Sequence, residues 1–312
     1  MNKYIDASEQ ELKIIERLRL EAKNEEYKYL HLLSDIMDDG IQKSDRTGVG
    51  TKSIFGTQLK FNIENSIPVM TTKKVAWKSI IEELLWFLRG DTNSKNLEKL
   101  GVNIWKGNTS TEFLEKMNLP YDEGDAGPIY GFQWRKWGAP YSSGPIALPA
   151  GVGIDQIANV IDTIKKNPND RRIIVSAWNV EDIDQMALPP CHLLHQYYVE
   201  NGKLHLQWYQ RSVDSFLGLS FNITSYAVLN YLISRVCGLK PGSITFCGGD
   251  THIYLNHMDQ CKEQISRVPY DFPKLKINKE LKSIEDIEKL TFNDFELLNY
   301  KSHAAIKAPM AV

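Results

Sequence analysis

The sequence predicts an α+β fold, and three observations carry that reading. Gln196–Val199 and Leu204–Tyr209 flank Asn201-Gly202, the pair favoured in a two-residue hairpin turn because both central residues must take positive φ. Blocks of helical periodicity occur on both sides of that hairpin. The two kinds of element are interspersed irregularly, without the repeating βαβ rhythm of a doubly wound sheet.

The elements follow in chain order. Residues 1–25 form a charged helical extension with a capping-box pattern, Ser8 with Glu11, and then Ile14, Ile15 and Leu18 at helical spacing. Tyr29, Leu32, Leu33 and Ile36 mark one face of a second helix, stopped by Gly40. Trp77–Leu88, ended by Gly90, is an apolar helix that carries two acids, Glu82 and Glu83. An amphipathic helix spans residues 153–166, and the β-rich run Arg172–Trp178 follows an Asn-Pro-Asn-Asp turn. In the second hairpin strand Leu204, Leu206 and Trp208 alternate with His205, Gln207 and Tyr209, so one face is buried and the other polar. Helices are expected again over Tyr226–Val236 and Ile253–Ile265.

Composition excludes several classes of function. The 37 basic and 39 acidic side chains leave a net charge of −2, which argues against a dedicated nucleic-acid or membrane-surface protein. Ser215 to Ser234 is free of charge and long enough to span a bilayer, but Ser220, Asn222, Thr224, Ser225 and Asn230 interrupt it with polar groups. Cys191, Cys237, Cys247 and Cys261 are too scattered for a disulfide scaffold and form no C-x-x-C pair. They read as reduced thiols, and the N-terminal residues lack the apolar core of a signal peptide, so a cytoplasmic location is expected.

Chemistry-bearing residues cluster in a few places. Two prolines hold Cys191 in Leu188-Pro-Pro-Cys-His192, and Gln210-Arg211-Ser212 comes soon after; a guanidinium near a thiol favours the nucleophilic thiolate. A buried structural thiol is the bland alternative. Arg46, the neighbours Arg171 and Arg172, and Arg211 with Ser212 would make a phosphomonoester site if the fold gathers them. Asn222 either caps the helix that follows or presents an amide able both to donate to and to accept from a uracil edge. His252 and Tyr254 would face one way on an extended segment and could bind a sugar hydroxyl. Cys191, His192, His195, Asp250, His252 and His257 supply ligand types for zinc, but their spacing matches neither a finger nor the HExxH pattern, so no metal is expected.

Taken in order, these motifs resemble the thymidylate synthase family over roughly residues 26–312. The resemblance rests on Asp45-Arg-Thr-Gly48, Thr71-Thr-Lys73, Glu83-Leu-Leu-Trp-Phe-Leu88, Ile104-Trp105, Tyr130-Gly131 and Gln133-Trp134-Arg135. It continues through Arg171-Arg-Ile-Ile-Val-Ser-Ala-Trp-Asn179, Pro190-Cys-His192, Tyr209-Gln-Arg-Ser212, Phe221-Asn222, Gly248-Gly-Asp-Thr-His-Ile-Tyr254 and Met310-Ala-Val312. It implies a single large catalytic domain with a mixed sheet that packs across a homodimer interface. It also implies a reaction: reductive methylation of dUMP to dTMP with 5,10-methylenetetrahydrofolate as one-carbon and hydride donor, releasing dihydrofolate. Cys191 would be the nucleophile that adds to C6. Arg46, Gln210, Arg211, Ser212 and Asp214 would hold the nucleotide, joined by Arg171 and Arg172 from the second subunit. Asn222 would read the uracil edge, and His252 and Tyr254 the ribose. Glu83, His192 and Tyr130 would manage water and protons. Asp214, Ile104, Trp105, Leu217, Gly218 and Phe221 would contact the folate, with Ala311 and Val312 closing over it.

Some positions depart from the family's pattern. Ser220 stands where proline is frequent, His195 where an aromatic is, and Ser302-His303-Ala304 where Pro-His-Pro is usual. Changes beside the folate and the lid could admit water, so the alternative is a deoxyuridylate hydroxymethylase that makes 5-hydroxymethyl-dUMP and tetrahydrofolate. A catalytically silent RNA-binding protein on the same fold is a second alternative. The intact Cys191, Arg211 and Asn222 speak against it, leaving RNA binding at most secondary.

Overall fold

A computed structural model describes residue 18 and residues 21–142 and 151–309. The capping-box pattern of the N-terminal extension, Ala311 and Val312 lie outside the described residues; residue 18 and residues 21–23 are helical.

Helix α1 (Glu26–Asp39) buries the expected Tyr29, Leu32, Leu33 and Ile36. Gly40 ends it for a reason of space: a Cβ there would lie 2.3 Å from the Ile36 carbonyl oxygen. Helix α2 (Trp77–Leu88) matches its expected bounds and is buried from Ile80 to Leu88. Shorter helices follow, α3 (Ser94–Glu98), α4 (Thr111–Lys116) and α5 (Tyr130–Lys136), and then α6 (Gln156–Lys166). The polar-interrupted stretch after Asp214 forms α7 (Gly218–Val236), and α8 (Met258–Ile265) and α9 (Ile284–Glu288) complete the set. Among the described residues no helix is long and apolar enough to cross a membrane.

The strands are β1 (Ile41–Lys43), β2 (Thr51–Asn62), β3 (Ile174–Ser176), β4 (His192–Glu200), β5 (Lys203–Asp214) and β6 (Lys240–Tyr254). They form one mixed sheet in the order β1-β2-β6-β5-β4-β3, in which only β5 and β6 run parallel. A separate hairpin pairs β7 (Lys274–Ile277) with β8 (Phe295–Leu298). Asn201 and Gly202 take φ of 49° and 72°, the positive values that the hairpin turn requires. The fold class is therefore the expected one.

One core lies between the sheet and its helices. Leu204, Leu206 and Trp208 of β5 and Ile244 and Phe246 of β6 face it, together with Ile223, Leu229 and Ile233 of α7. The other sheet face carries Tyr198, Gln207 and Tyr209, all exposed. The alternation read in the hairpin thus separates a core face from an open one.

Two expectations need correction, and two strands escaped the sequence pattern. α7 begins at Gly218, so Asn222 sits inside the helix and caps nothing. The run from Ile253 is not helical throughout, because β6 continues to Tyr254 and a 3-10 turn precedes α8. Strand β2 and its partner β6, the longest strand of the sheet, were not visible in the periodicity. β6 contains Pro241, Gly242, Gly248 and Gly249, and its burial does not alternate, which removes the period-two signal.

Candidate active site

The ladder of the sheet is interrupted along one line. The β2–β6 register passes from Phe55↔Asp250 to Thr57↔Gly248, and β5–β6 from Gln210↔Gly248 to Ser212↔Asp250. β4 shifts register between His192 and Leu194. Gly249 is needed at this line, since a Cβ on it would lie 2.7 Å from the Arg211 carbonyl oxygen. The interruption is where Cys191 and Arg211 meet.

Arg211 is held by the two prolines that precede the cysteine. Its Nε donates to the Pro190 carbonyl and its Nη2 to the Pro189 carbonyl, both at 2.9 Å, and its backbone N–H donates to the Cys191 carbonyl at 2.8 Å. The same Nη2 lies 3.9 Å from Cys191 Sγ. The guanidinium does favour the thiolate, yet burial outweighs it and raises the Cys191 pKa. The nearby arginine read from the chain is the right partner, but its charge does not set the net sign.

The cysteine opens onto a cleft of about 500 Å³. Of the expected residues, Glu83, Ile104, Trp105, Tyr130, His192, Gln210, Ser212, Asp214, Leu217, Gly218, Phe221, Asn222 and Tyr254 line it with Cys191. Helix α2 delivers Glu83, which is buried and accepts from Trp105 Nε1 at 2.7 Å. Burial lifts its carboxyl to about 7, against the lowering effect of that bond, so it can exchange a proton near neutrality. Tyr130 accepts from the Cys191 N–H at 2.7 Å, and burial keeps it a phenol. His192 stacks on Tyr130 at 4.3 Å, and its Nδ1 meets the Tyr226 hydroxyl at 2.9 Å; burial depresses it to about 3, so the ring is neutral.

The amide of Asn222 is oriented from behind. Gln210 Oε1 accepts from Trp208 Nε1 at 3.3 Å and from Asn222 Nδ2 at 3.2 Å, leaving the second Nδ2 proton and the amide oxygen of Asn222 for a ligand. Asp214 commits Oδ1 to the N–H groups of Phe216 and Leu217, at 2.9 and 3.2 Å. Beside it the apolar Ile104, Trp105, Leu217 and Phe221 suit a flat heteroaromatic ring, so the residues present fit a folate.

Other expected residues border the cleft or lie away from it. Arg46 is exposed on the β1–β2 loop, near enough to Tyr254 for its charge to lower that phenol's pKa, although burial raises it more. Asp45 shapes this loop by accepting from the N–H groups of Thr47 and Gly50 at 2.8 and 2.6 Å. His252 sits edge-on to Tyr254 at 5.2 Å, with Nδ1 3.1 Å from Asp250 Oδ1. Arg171 and Arg172 are exposed before β3 and do not line the cleft; Arg172 forks onto Asp170 instead. His195 is buried edge-on to Trp134, Tyr197 and Tyr226, and so fills an aromatic slot as a neutral ring, its pKa depressed to about 3 by burial. Among the described residues no three His, Cys, Asp or Glu side chains are grouped to hold a metal ion.

The sequence reading missed Lys73, Lys74, Ala76, Asn108, Leu188 and Ile306 as cleft residues. Lys73 had a signal, the Thr71-Thr-Lys73 motif. Its placement depends on Glu26, whose buried carboxylate accepts from the backbone N–H and hydroxyl of both Thr71 and Thr72. Lys73 Nζ then donates to the Phe216 carbonyl and lies 3.8 Å from that residue's ring centroid, and burial lowers its pKa to about 8.

Comparison with known proteins places this chain in a family. The thymidylate synthase family model matches residues 27–312. The chain is 49% identical to human thymidylate synthase, over 92% of this chain and 91% of the human protein. It is 51% identical to a maize bifunctional dihydrofolate reductase-thymidylate synthase, over 93% of this chain and 55% of that protein. A Paramecium tetraurelia protein of the same bifunctional description is 49% identical, over 95% of this chain and 63% of its own length. The chain thus spans a little over half the length of such bifunctional relatives. The family match and the human relative together show that the chain belongs to the thymidylate synthase family.

Proposed function

We propose that this chain, with residues 26–312 as its catalytic domain, converts dUMP to dTMP, taking a one-carbon unit and a hydride from 5,10-methylenetetrahydrofolate and releasing dihydrofolate. The observation that carries the reading is the joint opening of Cys191 and Asn222 onto one cleft, with Arg211 3.9 Å from the thiol and the Glu83 carboxyl in the same wall. Cys191 adds through sulfur to C6 of the uracil ring, and negative charge develops on C5 and O4. The free Nδ2 proton of Asn222 and ordered water held by Glu83 and His192 offset that charge in a largely desolvated site. Bond formation from C5 to the transferred carbon is followed by loss of the C5 proton, for which Glu83 and Tyr130 provide the relay. Release of the folate amine leaves an exocyclic methylene on the nucleotide; hydride transfer from the folate completes the methyl group and oxidises the folate to dihydrofolate, and the Cys191–C6 bond breaks to return the thiolate and free dTMP.

Arg46, Arg211 and Ser212 bind the phosphate in this proposal, His252 and Tyr254 the ribose. Arg171 and Arg172, exposed and away from their own cleft, act in the site of a second copy. The open sheet face supports a homodimer, because Tyr198 and Tyr209 are 62% and 40% exposed there. Asp214, Ile104, Trp105, Leu217, Gly218 and Phe221 hold the folate, and Ala311 contributes from the C-terminal segment.

The test is to incubate the purified protein with dUMP and 5,10-methylenetetrahydrofolate and to identify both products, by nucleotide mass spectrometry and by dihydrofolate absorbance. Equimolar dTMP and dihydrofolate are expected. A hydroxymethyl nucleotide with tetrahydrofolate would overturn the methylation reading in favour of a hydroxymethylase. Cys191→Ser is expected to abolish turnover while leaving the melting temperature within a few degrees of the parent.

A further inference from the structure

His257 is a fully buried side chain outside the set assigned to the cleft. Its Nε2 lies 2.7 Å from the Pro309 carbonyl oxygen, and because a carbonyl only accepts, Nε2 is the donor. Among the described residues Nδ1 is buried without a hydrogen-bond partner, and it faces Asp214 Oδ2 at 3.9 Å. The ring also packs 5.7 Å from that of Tyr254 and 5.6 Å from that of Phe216. One imidazole therefore touches the C-terminal segment, the aspartate on the folate side of the cleft and the tyrosine on the nucleotide side.

The path of the C-terminal segment makes this contact consequential. Residue 303 is tied by its N–H to the Thr71 carbonyl, and the Ala304 carbonyl accepts from Arg267. Ile306 then reaches the cleft wall. Beyond Ile306 the contact that holds the described chain by a side-chain hydrogen bond is the one from His257 to Pro309.

We propose that His257 is a positioning residue: it holds the C-terminal segment at Pro309 against the folate side of the cleft, and its effect on the reaction passes through that segment. The effect on turnover rests on the function proposed above; the tail contact itself does not. Because tail and ligand meet at the same wall, loosening one weakens the other by linkage.

Two substitutions separate the hydrogen bond from packing. His257→Gln carries a side-chain N–H donor to the position of Nε2, whereas His257→Asn carries one only as far as Nδ1. Hydrogen–deuterium exchange of a peptide covering residues 301–309, which includes the His303 N–H bonded to the Thr71 carbonyl, is expected in the full, unliganded chain to be about fivefold faster in His257→Asn than in the parent, the loss of one neutral hydrogen bond. It is expected to be near parental in His257→Gln. In turnover, the KM for 5,10-methylenetetrahydrofolate should rise by about the same factor in His257→Asn while the KM for dUMP moves by less than about twofold. Equal exchange in the two variants would overturn the proposal, as would a matching rise in both KM values. Absence of dTMP formation by the parent would refute the function instead, and the exchange comparison would still decide the tail contact.

Discussion

Replacing Glu83 by glutamine should abolish turnover and yet stabilise the protein above neutral pH. The amide would keep the acceptor for Trp105 Nε1 and the shape of the protonated acid, but it cannot ionise. Glu83 has an ordinary pKa of 4.5 and a folded value of about 7, raised by burial. The folded state therefore binds the proton more tightly than the unfolded chain. The stability linked to this group is fully present below about 4.5 and is lost as pH rises through 7. Worked through the linkage relation, the wild-type deficit relative to the neutral acid is about 0.8 kcal/mol at pH 5 and about 3.4 kcal/mol at pH 8. Urea unfolding of both proteins at the two pH values measures the change directly, and every other titrating group cancels in the comparison. E83Q should gain about 2.5 kcal/mol on the parent between pH 5 and pH 8. A stability difference independent of pH would refute the assignment of Glu83 as a buried carboxyl that charges near neutrality.

Trp105→Phe removes the donor that lowers the Glu83 pKa, so the Glu83 limb of the pH–rate profile should move upward by about one unit or more, read as kcat/KM for dUMP. Asn222→Asp should shift the kcat/KM ratio toward deoxycytidylate, because a carboxyl complements an amino-bearing edge; unchanged uracil preference would count against the amide's role. Mixing an Arg171→Ala/Arg172→Ala chain with a Cys191→Ser chain should restore activity that neither shows alone, since one of the two sites in the mixed dimer would be intact. No recovery after subunit exchange would place those arginines outside the partner's site.

Local signals determined much of this protein. The Asn201-Gly202 turn needs only positive φ at two residues, and α2 needs only an unbroken apolar run, so both are written in contiguous residues. The order of motifs from Asp45 to Tyr254 was likewise enough to name the family and to single out Cys191 as the candidate nucleophile. Tertiary structure decided everything that depends on what surrounds a group. It set the net effect on Cys191, where burial outweighs Arg211, and the position of Glu83 near pH 7, because desolvation is a property of neighbours distant in sequence. It also decided that Arg171 and Arg172 stand apart from their own cleft, and that Lys73 enters it through the hold of Glu26 on Thr71 and Thr72. Periodicity failed on β6 for the same reason: a strand flanked on both sides and broken by glycines has its burial set by its partners, and no contiguous pattern records them.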